Sequence, residues 1–172
     1  DQRFVSFKTL VGFQSVFPPA WEDDDFDIEK IDDYRKGEID RLASQVSDET
    51  SGEWLEFIMQ CANTSSDDLA IFPSFGAFLE QLGYVQPTIV LSYFDKLDSA
   101  LSDFLPAMLC GLEKTSLKET ALEKVRNWTK EQKYLRQIIN YCARSSQLDF
   151  DILESAVRSA IQTNDESGVF DA

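Results

Sequence analysis

Hydrophobic positions recur with a helical period along most of the chain, and most densely between Ser66 and Leu112. Leu101, Phe104, Leu105, Met108, Leu109 and Leu112 follow the i, i+3, i+4, i+7, i+8, i+11 spacing that puts side chains on one continuous face of an α-helix. Val90, Tyr93, Phe94 and Leu97 make a second such face, and Phe75, Phe78, Leu79 and Leu82 a third. Gly83 and Gly111 stand where these helices would end, because glycine enters the left-handed C′ conformation without a Cβ penalty. Pro87 suits the first turn of the helix after Gly83, where its missing N–H has no partner to lose. Connections this short predict antiparallel helical hairpins stacked in a row.

The flanks continue the pattern. Residues 4–17 are rich in aromatics, with Phe7, Leu10, Val11 and Phe17 at helical spacing, until Pro18-Pro19 stops any helix. Ile39, Leu42, Ala43 and Val46 give residues 30–46 an inward face. Trp54, Phe57, Ile58 and Cys61 define the next helix, with Ser51 as its expected N-cap. Asn63 to Asp68 reads as a polar loop, Ser66 or Asp67 as a cap, and residues 69–72 as a short turn before Pro73. Ser116-Leu117-Lys118-Glu119 matches the S-x-x-E capping box, and Thr129 with Gln132 resembles a second one. The helices after them place Ala121, Leu122, Val125 and Trp128, then Leu135, Ile138, Ile139 and Cys142, inward. Asp149 caps a last helix facing inward with Leu153, Ala156, Val157, Ala160 and Ile161, and the acidic tail frays.

No segment reads as a strand, so the fold class is all-α. Helix centres spaced for pairs of roughly 30–38 residues carry the period of helical-hairpin repeats. Phe78-Leu79-x-x-Leu82, Phe104-Leu105-x-x-Met108 and Tyr134-Leu135-x-x-Ile138 repeat one form. Over residues 36–162 this resembles the HEAT or armadillo-like class of α-solenoids, without the consensus of tetratricopeptide or ankyrin repeats. The resemblance implies a short right-handed stack presenting a curved surface to a protein or peptide. An irregular multi-helix bundle is the alternative. The expected organisation is an N-terminal aromatic and acidic segment (1–35) packed on the main body, the helical-repeat domain (36–162) and a flexible acidic tail (163–172).

Charge narrows the choice of partner. The net charge of −15 divides unevenly: −7 over residues 1–50, −8 over 51–113, +5 over 114–145 and −5 over 146–172. Most of the surface would therefore repel nucleic acid and favour a basic partner segment. The acidic run from Glu22 to Glu29 invites a calcium reading, with Asp23, Asp25 and Asp27 at the first three ligand positions of an EF-hand loop. Ile28 occupies the place of the obligatory glycine and Tyr34 that of the bidentate carboxylate, so no metal is expected there. The basic segment (Lys114, Lys118, Lys124, Arg126, Lys130, Lys133, Arg136, Arg144) is the local exception. Lys130, Lys133 and Arg136, near one face with Trp128 at the hinge, are the candidate partner-binding residues. The plainer reading is a solvated face paired with Glu123 and Glu131.

Catalytic chemistry finds little support. The chain has no histidine, which removes Ser-His-Asp and Cys-His catalysis, and it has no P-loop, no G-x-S-x-G and no Gly-rich dinucleotide turn. Glu80, beside an apolar helical face, is expected to point to solvent. Cys61, Cys110 and Cys142 lie on apolar faces without a CxxC, as buried, reduced thiols of an intracellular protein. Two N-glycosylation sequons, at Asn63 and Asn127, are read as coincidence. No apolar run is long enough to span a membrane. The absent initiator Met and the patterning from the first residues lead to the expectation of a piece of a larger polypeptide. The function expected is a non-catalytic interaction or scaffold module without a cofactor. The alternatives are a regulatory or sensor domain attached to an NTPase or other enzyme, and an acidic nucleic-acid mimic.

Overall fold

A computed structural model describes residues 2–11, 28–64, 73–147 and 149–163. Ten α-helices and one 3₁₀ turn, with no strand, occupy these described residues, so the fold is all-α. In chain order they are α1 (Gln2–Val11), α2 (Ile28–Ser44), α3 (Ser51–Ala62), α4 (Pro73–Val85), α5 (Pro87–Tyr93), a 3₁₀ turn (Phe94–Lys96), α6 (Ser99–Ser102), α7 (Leu105–Leu112), α8 (Lys118–Lys130), α9 (Leu135–Arg144) and α10 (Phe150–Gln162). The expectations for Pro18-Pro19, the acidic run before Ile28, the loop and turn over 65–72 and the tail beyond Thr163 lie outside the described residues. No described helix is long and apolar enough to cross a membrane.

The core follows the hydrophobic period closely. Phe75, Phe78, Leu79 and Leu82 on α4, Val90 and Tyr93 on α5, and Ile138, Ile139 and Cys142 on α9 are all buried. So are Leu42 and Ala43 at the end of α2 and Val46 just past it. Trp54 and Phe104 are half-buried against this core, while Leu105 is fully enclosed. Ile161 departs from the pattern: it is 60% exposed, and Ile152 takes the inward place on α10 beside Ala156 and Ala160.

Every residue of α7 is buried, including Pro106, Ala107, Cys110 and Gly111. A helix apolar on all sides can only sit at the centre of a fold. Its neighbours are α4, α9, α5 and α8, and its most extensive packing is on α4. α2 packs on the other flank of α4, and α10 on α9, so that α2, α4, α7, α9 and α10 lie in succession. The main contacts thus join helices that are not chain neighbours (α2 with α4, α4 with α7, α7 with α9), while α9 and α10 pack closely as chain neighbours.

Four local expectations are corrected. The six residues expected to share one helical face from Leu101 to Leu112 are divided between α6 (Leu101), the turn after it (Phe104) and α7 (Leu105, Met108, Leu109 and Leu112). Pro106 in the first turn of α7 has no N–H for the Ser102 carbonyl, and its ring would collide with that carbonyl in a continuous helix. The chain turns at Asp103–Phe104, and the Phe104 N–H donates to the Leu101 carbonyl at 3.0 Å. Gly83 and Gly111, second, do not cap helices, since neither has positive φ. They form the crossing of α4 and α7. A Cβ built on Gly83 would lie 2.8 Å from the Met108 carbonyl oxygen, and one on Gly111 would fall on the Glu80 carbonyl oxygen.

The helix starts differ too. Ser51 is the first helical residue of α3 and its hydroxyl donates to the Asp48 carbonyl, while Thr50 holds the cap position without a side-chain cap bond. Neither capping box forms. Before α8, Leu117 holds the cap position, and the Thr115 hydroxyl accepts the Leu117 N–H at 3.2 Å. Thr129 lies inside α8, buried, with its hydroxyl donating to the Val125 carbonyl at 3.0 Å. Asp149 caps α10 as expected, accepting the N–H groups of Asp151 and Ile152.

The crossing predicts a steep contrast among glycines. Gly111→Ala should cost more than about 3 kcal/mol in urea unfolding, because backbone rather than a flexible side chain blocks the new methyl. Gly37→Ala, where nothing lies within 4 Å, should stabilise by about 0.5–1 kcal/mol. Equal effects at the two sites would contradict the crossing.

Candidate functional site

The basic segment occupies α8, α9 and the turn between them. α8 ends in a Schellman turn: the Lys133 N–H donates to the Trp128 carbonyl at 2.8 Å and the Gln132 N–H to that of Thr129 at 3.1 Å. Gln132 takes the left-handed place usual for glycine (φ 57°), and Tyr134 enters α9 with φ 54°. Trp128 and Tyr134 look inward, packed edge-to-face at 5.3 Å, so neither is free to stack on a base. Lys130, Lys133 and Arg136 are all exposed across this turn. Lys130 also lines a crevice of about 150 Å³ between α8 and α10, with Arg126, Thr129, Asp151, Ile152 and Ser155; Lys133 and Arg136 are not among its walls.

Much of the positive charge is already answered from within the chain. Lys133 pairs with Glu131 at 2.9 Å, and that bond holds the Lys133 ammonium above its ordinary pKa. Lys124 reaches Asp95 at 2.7 Å, Arg126 reaches Asp149 at 3.4 Å and Glu119 at 3.9 Å, and Lys114 reaches Glu80 at 2.7 Å. Glu131 is thus a partner, as in the plainer sequence reading; Glu119 lies on α8 itself, whereas Asp95, Asp149 and Glu80 come from other turns and helices. Glu80 is corrected: rather than pointing free into solvent, it binds Lys114 and lies 3.9 Å from Arg144, tying α4 to the end of α7 and to α9.

Near Glu80 lies a carboxylate with four hydrogen-bond donors. Glu113, just past α7, accepts from Ser145 Oγ (2.6 Å), Tyr141 Oη (3.2 Å), Ser146 Oγ (2.9 Å) and the Ser146 N–H (3.1 Å). Burial alone would raise its pKa; the donated hydrogen bonds outweigh it and hold the carboxyl below its ordinary value. Nothing in the sequence marked Glu113, since its partners lie about thirty residues away. Its role is structural: it fixes the α9–α10 connection to the end of α7.

The opposite charge is arranged differently. No lysine or arginine occurs between Arg41 and Lys96. Asp48 and Glu49 in the α2–α3 turn and Glu53 and Glu56 on α3 are exposed, and none of them makes an ion pair among the described residues. Next to them runs a groove of about 300 Å³ between α1 and α3, lined by Arg3, Ser6, Gln45, Glu53, Trp54 and Phe57. The Arg3 guanidinium lies over the Phe57 ring, 5.7 Å from its centre. A larger open groove of about 610 Å³ between α2 and α4 mixes Arg35, Lys36 and Lys114 with Asp40 and Glu80.

Reactive chemistry has little foothold among the described groups. Cys61, Cys110 and Cys142 are free and buried, and burial pushes their thiols up to about 12, 11 and 11. They stay protonated at neutral pH and are poor nucleophiles. No group of three or more His, Cys, Asp or Glu is gathered to hold a metal ion among the described residues.

The Glu113 network predicts a pH-dependent stability. A depressed carboxyl stabilises the fold above the unfolded pKa, near the model-compound value of 4.5, and loses that contribution as pH falls through the folded value. Glu113→Gln should therefore cost about 1–3 kcal/mol at pH 7, with the gap in thermal midpoint to the wild type narrowing below about pH 4. A gap that is constant with pH would remove the ionised network. No protein-family model matches this chain, and neither a curated protein nor a solved structure matches it.

Proposed function

We propose that this chain is a non-catalytic interaction module, built as a short right-handed stack of helical hairpins, that docks a basic segment of another intracellular protein. The observation that carries this reading is the contrast between its two charged surfaces. The carboxylates Asp48, Glu49, Glu53 and Glu56 face solvent without a cation among the described residues, whereas Lys124 and Arg126 of α8 and Lys133 just past it are engaged by acidic partners within the chain. Unanswered charge steers a partner of opposite sign and sets its on-rate and register. The groove beside Trp54 offers a recess for an apolar or aromatic side chain of the same segment. The succession of α2, α4, α7 and α9 supports the stacked arrangement.

This reading moves the docking surface away from Lys130, Lys133 and Arg136, which serve an acidic partner if they serve any. Fluorescence anisotropy of a labelled Lys/Arg-rich peptide separates the two surfaces. Reversing Asp48, Glu49, Glu53 and Glu56 to Lys should weaken binding by about a hundredfold, at roughly 0.7 kcal/mol per exposed charge, and binding should fall with added salt. Reversing Lys130, Lys133 and Arg136 to Glu should leave it within about twofold. Loss of binding only in the second variant, or preference for a Glu-rich peptide, would overturn the reading.

A further inference from the structure

Exposed apolar residues gather on the last described helix. Phe150 is 73% and Ile161 60% exposed on α10, and Leu153 and Val157 between them are only partly covered. These four follow i, i+3, i+7 and i+11, a single stripe along the helix beside the buried line of Ile152, Ala156 and Ala160. α10 is therefore apolar over a wider arc than its contacts with α8 and α9 require. A stripe of large apolar side chains left in water is a docking surface in want of an occupant.

The stripe is its own complement when reversed. It is bounded by Phe150 at one end and Ile161 at the other, with Leu153 and Val157 between, so two antiparallel copies would set each Phe150 against the partner copy's end of the stripe. Its solvent edge carries Glu154 and Arg158, one turn apart and paired within the helix at 2.6 Å. A two-fold axis across antiparallel helices brings the same edge of both together, so the acidic residue of each copy meets the basic residue of the other. We propose that a second copy of this chain covers the α10 stripe, in an isologous antiparallel α10–α10 contact held by these apolar ends and by two crossed Glu154–Arg158 pairs. A 13-residue helix is about 20 Å long, and one such contact falls short of the ~1,200 Å² of a stable interface. The dimer is accordingly weak, in a concentration-dependent equilibrium with the monomer.

Sedimentation equilibrium of the 172-residue chain from about 5 to 500 μM tests this. The mass should rise from 19.6 kDa toward twice that value. Ile161→Glu should hold the chain monomeric with an unchanged circular dichroism spectrum, since that side chain is already exposed. Glu154→Arg sets like charges against each other and should weaken association by about tenfold or more; adding Arg158→Glu restores both pairs and should restore it. A monomer at every concentration, a dimer indifferent to Ile161→Glu, or a charge swap that fails to rescue would each overturn the proposal. Monomer mass in the wild type would mean that the stripe is covered by the chain's own termini or by another protein.

Discussion

The contact on which the rest of the structure depends is the crossing of α4 and α7 at Gly83 and Gly111. With no Cβ on either helix there, the backbones approach more closely than Leu-lined helices allow, and a carbonyl of each sits where the other's methyl would be. This approach lets α7, buried on every side, fill the centre while Phe75, Phe78, Leu79 and Leu82 of α4 close over it. Fully burying such side chains contributes about 1.5–3 kcal/mol each, so the crossing gathers a large share of the driving force into one place. The remaining helices are laid against this pair, α2 on α4 and α9 on α7.

Polar groups fix the order in which those helices lie. Glu80 and Lys114 join α4 to the end of α7, Glu113 receives the α9–α10 connection, and the Tyr93 hydroxyl donates to the Ser51 carbonyl at 2.8 Å, fastening α5 to the start of α3. These groups sit at helix ends around the apolar centre, where hydrogen bonds can satisfy them and water still reaches part of each. The segment of positive sequence charge is drawn into the same task. A patch that looks cationic in the sequence is partly cancelled in space, while the carboxylates of α3 and of the turn before it make no ion pair among the described residues.

The sequence pattern made the buried residues legible because burial depends on a period, and the period survives without knowledge of partners. Ile138, Ile139 and Cys142 needed only their spacing. Features that depend on a partner or on local competition were not legible. A glycine serves either a left-handed turn or a close approach, and only the position of α4 against α7 decides for Gly83 and Gly111. Ser116 and Thr129 stand at capping-box spacing, yet Thr115 takes the local turn bond in one case and α8 simply continues past the other. Glu113, Glu80 and the unanswered carboxylates of α3 form their roles across long sequence separations, which no local pattern encodes. Ile161 keeps the helical period while lying beyond the reach of the core.

Native-state hydrogen exchange measures the central claim most directly. If the α4–α7 crossing anchors the fold, the amides of α4 and α7 exchange only through global unfolding and are the slowest in the chain, with α1 and α10 opening at lower free energy. Amides of α1 or α10 that outlast those of α7 would contradict the account, and would place the stabilising centre of this protein elsewhere.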